Sequence, residues 1–221
     1  MKRYITIDGG TTNTRLSLVL DNRVIDTVRY AAGARAGIED KTVLKNAVRE
    51  GISRLLSVNG LIESDICRIL ASGMITSEFG LYHLDHLTAP AGLAELHAGM
   101  EQVILSDICS IPFVFLRGVK QQGDILHADV MRGEETELMG LCPQPNCVYI
   151  LPGSHSKVIR TDENCRIASF STTLTGEMIS ALSQTTILKS SVSLVDHALC
   201  KESLLEGYNI CKELGMNAAL F

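Results

Sequence analysis

The sequence predicts an α/β fold in which two halves begin alike. Two observations carry that reading. The chain opens with three short alternating segments separated by tight polar turns, then passes through helical and strand-like stretches in turn. A second Gly-hydroxyl turn between strand-like segments then follows a proline-rich break. The composition agrees: 46% of the 221 residues are hydrophobic, only 5% are aromatic and Trp is absent, which gives an aliphatic core of useful size. A disordered chain is excluded on these figures.

Residues 3–8 place Ile5 and Ile7 on one face and Tyr4 and Thr6 on the other, a strand pattern. Asp8-Gly9-Gly10-Thr11-Thr12-Asn13 makes a polar turn. Residues 14–20 follow as a second strand with Leu16, Leu18 and Leu20 on one face. Asp21-Asn22 turns the chain into a third strand over 23–29, which completes an antiparallel meander. Residues 39–58 space Val43, Leu44, Ala47, Val48, Ile52, Leu55 and Leu56 as a helix, with Asn59-Gly60 as its stop. Residues 66–71 read as a buried strand running into Ser72-Gly73, and 111–116 as another. Between them, 76–102 reads as loop with a short helix. Residues 129–139 read as a helix that Asp129 opens and Gly140 ends.

Cys142-Pro143-Gln144-Pro145-Asn146 stops helix and strand alike and marks a boundary. Domains are therefore expected at 1–141 and 142–221. Beyond the boundary, 148–151, 157–161 and 166–170 read as strands, and a helix starts near Thr175 with Met178, Ile179 and Leu182 on one side. Gly10-Thr11-Thr12-Asn13 lines up with Gly153-Ser154-His155-Ser156 as a weak internal repeat.

Several function classes drop out. The net charge is −5 and no dense Lys/Arg run occurs, so a nucleic-acid partner and an anionic membrane surface are not expected. Asp8 interrupts any signal-peptide core, and no apolar run reaches membrane length. Seven irregularly spaced cysteines read as reduced thiols rather than a disulfide framework. A cytoplasmic protein is the expectation.

The turn Asp8–Asn13 carries the sharpest chemistry. Glycines let the backbone approach an anion, and hydroxyls and successive N–H groups of Gly9, Gly10, Thr11, Thr12 and Asn13 can donate to phosphate oxygens. Asp8 at the strand end is placed to hold a hydrated Mg²⁺. A plain hairpin turn is the alternative, because Gly and Asp are turn residues anyway. The loop is neither a Walker A sequence nor a GxGxxG sequence. Gly153, Ser154, His155 and Ser156 suit a second phosphate cradle. Asp129 is compatible with a helix cap and with a general base that takes a hydroxyl proton. Arg132 suits an anionic substrate or a nearby glutamate. The stretch 72–77 follows a strand end, where small-molecule sites gather, and its hydroxyls suit a sugar acid, with a plain polar turn as the alternative. His83-Leu84-Asp85-His86 reads as a loop.

The motifs Asp8–Asn13, Asp129–Thr136, Leu151–Lys157 and Leu174–Glu177 together resemble the 2-dehydro-3-deoxygalactonokinase family, within the sugar kinase, actin and heat-shock ATPase superfamily. The Ser72-Gly73-Met74-Ile75 segment is similar to the family's Gly-Met segment. The resemblance implies two ribonuclease-H-like halves, the first complete over 1–141. It implies phosphorylation of the 6-hydroxyl of 2-dehydro-3-deoxy-D-galactonate by ATP with Mg²⁺. Gly9 to Asn13 and Gly153 to Ser156 would then flank the phosphates, with Asp8 at the metal and Asp129 as the base. Gly73, Met74, Ser77, Arg132 and Glu134 would meet the sugar acid. The chain stops at Met216–Phe221 inside an apparent helix, before the family's adenosine-binding segment, so a truncated second domain is expected. An impaired relic, and a kinase for another sugar acid, remain as alternatives. Such a second half would expose apolar surface and leave self-association open.

Overall fold

The computed structural model describes residues 2–125, 127–191 and 200–216. β1 (Arg3–Gly9), β2 (Thr14–Leu20) and β3 (Arg23–Tyr30) form the expected antiparallel meander. Asp21 and Asn22 both take positive φ, 46° and 65°, which matches the twist of a two-residue hairpin. α1 (Ala36–Glu39) and α2 (Lys41–Val58) follow, and the Asp40 carboxylate accepts from Thr42 N at 2.8 Å as the cap of α2. β4 (Ile69–Gly73) starts three residues later than the apolar run suggests and pairs parallel with β1.

The segment read as loop plus short helix holds β5 (Leu87–Thr88), α3 (Leu93–Ala98) and β6 (Glu101–Val103). β7 (Phe113–Phe115) and β8 (Val119–Gln121) follow. The principal sheet has the order β3-β2-β1-β4-β7-β6, a mixed sheet as expected for a ribonuclease-H-like half. Its core is aliphatic around Ile5, Ile7, Leu16, Leu44, Ile52, Leu55 and Ile69, with Phe113 and Phe115 stacked at 5.6 Å.

The helix expected over 129–139 is corrected. Asp129–Met131 is a strand, β9, and only Glu134–Gly140 is helical, as α4. β9 pairs antiparallel with β8 in a small sheet ordered β5-β8-β9. Gly133 then takes φ 115°, a region closed to ordinary side chains, and serves as the N-cap in place of Asp129.

Residues 142–147 lead from α4 to β10 (Val148–Leu151), β11 (Ser156–Thr161) and β12 (Ile167–Thr173). These strands form a second antiparallel meander and repeat the order seen at the N-terminus. Phe170 N donates to Gln121 Oε1 at 2.8 Å, and Ala91 and Ile167 exchange two backbone hydrogen bonds. The second meander is thereby fastened to the small sheet, and Met131, Leu138, Ile159, Ile167 and Phe170 share one core.

Two compact units result, Met1–Gly176 and Glu177–Phe221. α5 (Thr175–Thr185) begins where expected. The second unit also contains α6 (Lys201–Leu214), on which Leu204, Leu205 and Tyr208 are exposed. The end segment 217–221, read above as a continuing helix, lies outside the described residues. All seven cysteines are free. Among the described residues no helix is long and apolar enough to cross a membrane.

Candidate functional site

A cavity of about 1100 Å³ opens within the first unit. β1 and the turn after it deliver Asp8, Gly9, Gly10 and Thr11 to its wall, and the β10–β11 turn delivers Gly153, Ser154 and His155. Met74, Ser77, Arg132 and Glu134 line it too. The two loops read as phosphate cradles therefore share one cavity with four of the five residues read as substrate contacts.

Both loops are built alike. The carbonyls of Gly10 and Thr11 accept from Ala34 N at 3.1 Å and Arg35 N at 2.8 Å. The Gly153 carbonyl accepts from Gly176 N at 3.2 Å. In a planar trans peptide the N–H points opposite to the carbonyl. The N–H groups of Thr11, Thr12 and Ser154 therefore face away from those backing segments. Each backing segment holds a glycine that permits the approach. A Cβ on Gly33 would lie 2.5 Å from Gly10 O, and one on Gly176 would lie 2.5 Å from Gly153 O. Thr14 Oγ1, fully buried, donates to Ala32 O at 2.6 Å and anchors the first backing segment.

Not every expected residue reaches the cavity. Thr12 and Asn13 are absent from its wall and bond each other at 3.0 Å, while Gly10 N donates to Asn13 O. Ser156 is likewise outside the wall and donates through Oγ to Gly153 O at 3.4 Å. Gly73 sits behind the wall, in register with Gly9 on the neighbouring strand. Asp129 is also absent from the wall. Its carboxylate accepts from Thr172 N at 2.7 Å, Thr172 Oγ1 at 2.8 Å and Val130 N at 2.7 Å. Those bonds hold β9 against β12.

Glu134, the first residue of α4, enters the cavity from this segment, and Glu137 of the same helix lines it too. Its side chain is 24% exposed and faces the Lys157 ammonium at 3.6 Å. Lys157 is nearly buried and also donates to Thr172 Oγ1 at 2.8 Å. Asp129, Thr172, Lys157 and Glu134 thus form one chain of polar contacts from the back of the site to its wall.

Sequence reading missed Lys157, the backing glycine Gly33 and Glu135. Glu135 is completely buried, and both its oxygens accept from Gly133 N at 2.9 Å. Burial pushes its carboxyl up to about 7, against the opposing pull of those backbone bonds. The folded protein then keeps a proton between pH 4.5 and 7 that the unfolded chain has lost. Stability contributed by that proton is complete below the lower value and falls as pH rises through the window. The loss between pH 5 and 8 is expected to be smaller in Glu135→Gln than in the parent by up to about 3 kcal/mol. Urea denaturation at the two pH values measures it, and identical losses would refute it.

His83, Asp85 and His86 also line the cavity, although their sequence reads as an ordinary loop. Arg132 reaches that loop: Nη1 donates to Thr76 Oγ1 at 2.7 Å and Nη2 to Leu84 O at 2.6 Å. Burial, then the positive charges of Arg132 and Lys120, push His86 down to about 4. His86 is therefore neutral at physiological pH.

Comparison with known proteins adds four findings. The family model for 2-keto-3-deoxy-galactonokinase matches residues 8–221. A protein of Rhizobium meliloti (strain 1021) named as a probable 2-dehydro-3-deoxygalactonokinase is 32% identical over 200 residues, covering 87% of this chain and 60% of the relative. The 2-dehydro-3-deoxygalactonokinase of Escherichia coli (strain K12) is 29% identical over 177 residues, covering 80% and 55%. The chain thus spans a little over half the length of these relatives. The crystal structure of a candidate 2-dehydro-3-deoxygalactonokinase from Sinorhizobium meliloti superposes with a TM-score of 0.70 at 24% identity. It covers 98% of this chain and 74% of that one, and it shares the fold.

Proposed function

This chain belongs to the 2-keto-3-deoxy-galactonokinase family, and from that premise we propose that it transfers the γ-phosphoryl group of ATP to the 6-hydroxyl of 2-dehydro-3-deoxy-D-galactonate. The observation that carries the reading is the shared cavity: two glycine-backed loops with amide donors turned away from their backing segments, and the Glu134 carboxylate, held by Lys157, on the same wall. Backbone N–H groups of Thr11 and Ser154 would hold phosphate oxygens, with the Thr11 and Ser154 hydroxyls beside them. Glu134 accepts the proton as the substrate oxygen attacks phosphorus, and ADP leaves on the opposite side. Lys157 fixes the Glu134 carboxylate and adds positive charge where the phosphoryl group passes. Asp129, expected as the base, acts instead through Thr172 by fixing Lys157. Met74 and Ser77 form the substrate wall.

Mg²⁺ fits the donor set. Asp8 presents a half-exposed carboxylate at the cavity wall beside the first loop, tied on one oxygen to Arg15 at 2.9 Å. Mg²⁺ takes one or two carboxylates and completes its shell with phosphate oxygens and water. When bound it neutralises phosphate charge.

A coupled assay of ADP release with this keto-deoxy acid tests the reading. Acid-dependent, Mg²⁺-dependent turnover is expected. Well-folded protein that releases no ADP with the acid, while the same assay registers a known kinase, would sink it.

A further inference from the structure

We infer that Arg132, held in place by Thr76 Oγ1 and Leu84 O, binds the carboxylate of the substrate with His86 beside it in the same corner and makes the site selective for sugar acids over neutral sugars. The inference rests on the kinase reading above and names the group that orients its acceptor.

The Arg132 guanidinium is partly buried at the cavity wall, yet its partners are neutral. It donates to a hydroxyl and a carbonyl, and Nη2 stands 3.4 Å from His86 Nδ1. Among the described residues no carboxylate forms an ion pair with it. Removing a positive charge from water without a counter-ion is unfavourable, and an anion arriving in the cavity offsets that cost. Planar guanidinium suits planar carboxylate through paired N–H donors.

His86 strengthens the corner without adding charge. Its Nδ1 faces an arginine donor and accepts, which leaves the ring proton on Nε2 as a donor. The nearest competing acid on this loop, Asp85, has a side chain 89% exposed and lies 3.6 Å from His83. Water screens such a charge strongly. Glu135 also influences Arg132 electrostatically, but its oxygens are occupied by Gly133.

Position separates this corner from the phosphates. Two loops with their own amide donors serve those, whereas the Arg132 side chain runs to residues 76–86. Glu134, two residues along, takes the hydroxyl end of the substrate. The carboxylate of a six-carbon acid phosphorylated at C6 lies at the other end of the molecule. Anchoring both ends places the 6-hydroxyl at the base.

The test uses 2-dehydro-3-deoxy-D-galactonate and its neutral amide. Unaltered protein is expected to prefer the acid by about 100-fold in kcat/KM, the range of a charged hydrogen-bond pair. Arg132→Gln should reduce that preference to roughly threefold while KM for ATP changes little, and His86→Gln should reduce it by about tenfold. An undiminished preference in folded Arg132→Gln protein overturns the inference. So does a rise in KM for ATP alone, which would make Arg132 a phosphate ligand. Should Arg132→Gln fail to fold by its melting profile, Thr76→Val and His86→Gln read the same preference, and no change in either overturns the inference. Calorimetric titration of acid and amide without ATP keeps the two readings apart. Acid-selective binding without any turnover supports the corner and removes the kinase reading. Turnover with equal binding of acid and amide does the reverse.

Discussion

Glu134→Gln is expected to lower kcat by about 10²–10⁴-fold with little change in the KM values, the loss typical of removing a general base. Gln keeps the shape and loses the proton acceptor. Asp129→Asn should cost less than about tenfold, because it disturbs hydrogen bonds to Thr172 rather than the reacting atoms. Steady-state rates of both variants under saturating substrates separate the roles. Equal large losses would return proton transfer to Asp129. An undiminished rate in Glu134→Gln would remove the base assignment outright.

The second large effect concerns the glycines behind the loops. A Cβ at Gly33 or Gly176 would stand 2.5 Å from a loop carbonyl, so the loop must shift. At Gly33 two further backbone atoms of Thr11 lie at 2.6 Å, which leaves no flexible side chain to yield. Gly33→Ala and Gly176→Ala should each reduce kcat/KM for ATP by roughly 100-fold, the cost of misplacing a positioning group by about 1 Å. Direct binding of the sugar acid should change far less. If nucleotide binding in both variants matches the parent, these loops do not hold the phosphates.

Much of the fold was legible because local signals and tertiary pairing agree. Alternation in Ile5–Ile7 and Leu16–Leu20, with Asp21-Asn22 between strands, names a meander that long-range contacts then confirm. The same agreement holds for α2 and for the meander after residue 147. It fails at Asp129–Met139. Met, Glu and Leu there favour a helix, but Val119–Gln121 offers Asp129–Met131 a strand partner, and Gly133 reverses the backbone before α4. Local propensity is a weak prior against such pairing.

In the site, the two Gly-hydroxyl loops were legible as a pair because the same residue types recur in one short run between strands in each half. The resemblance names Glu134 as a substrate contact and Asp129 as the base, whereas in the fold Asp129 lies off the cavity wall and Glu134 on it. Lys157 and the His83–His86 loop carry no local signature. Their roles arise from Thr172, Glu134 and Arg132, which only packing brings alongside.

The fastening of the second meander to the small sheet also bears on the order in which the chain is expected to fold. The turns that join β10, β11 and β12 close over a few residues. The ties that seat this meander join Asp129 to Thr172 and Gln121 to Phe170, 43 and 49 residues apart. Closing such loops costs more chain entropy than closing a hairpin, and contacts of high sequence separation form slowly. The β10–β11 turn is therefore expected to take shape early, as part of its hairpin. The cavity it lines draws on both meanders, so it is expected to be completed late, when those distant ties close.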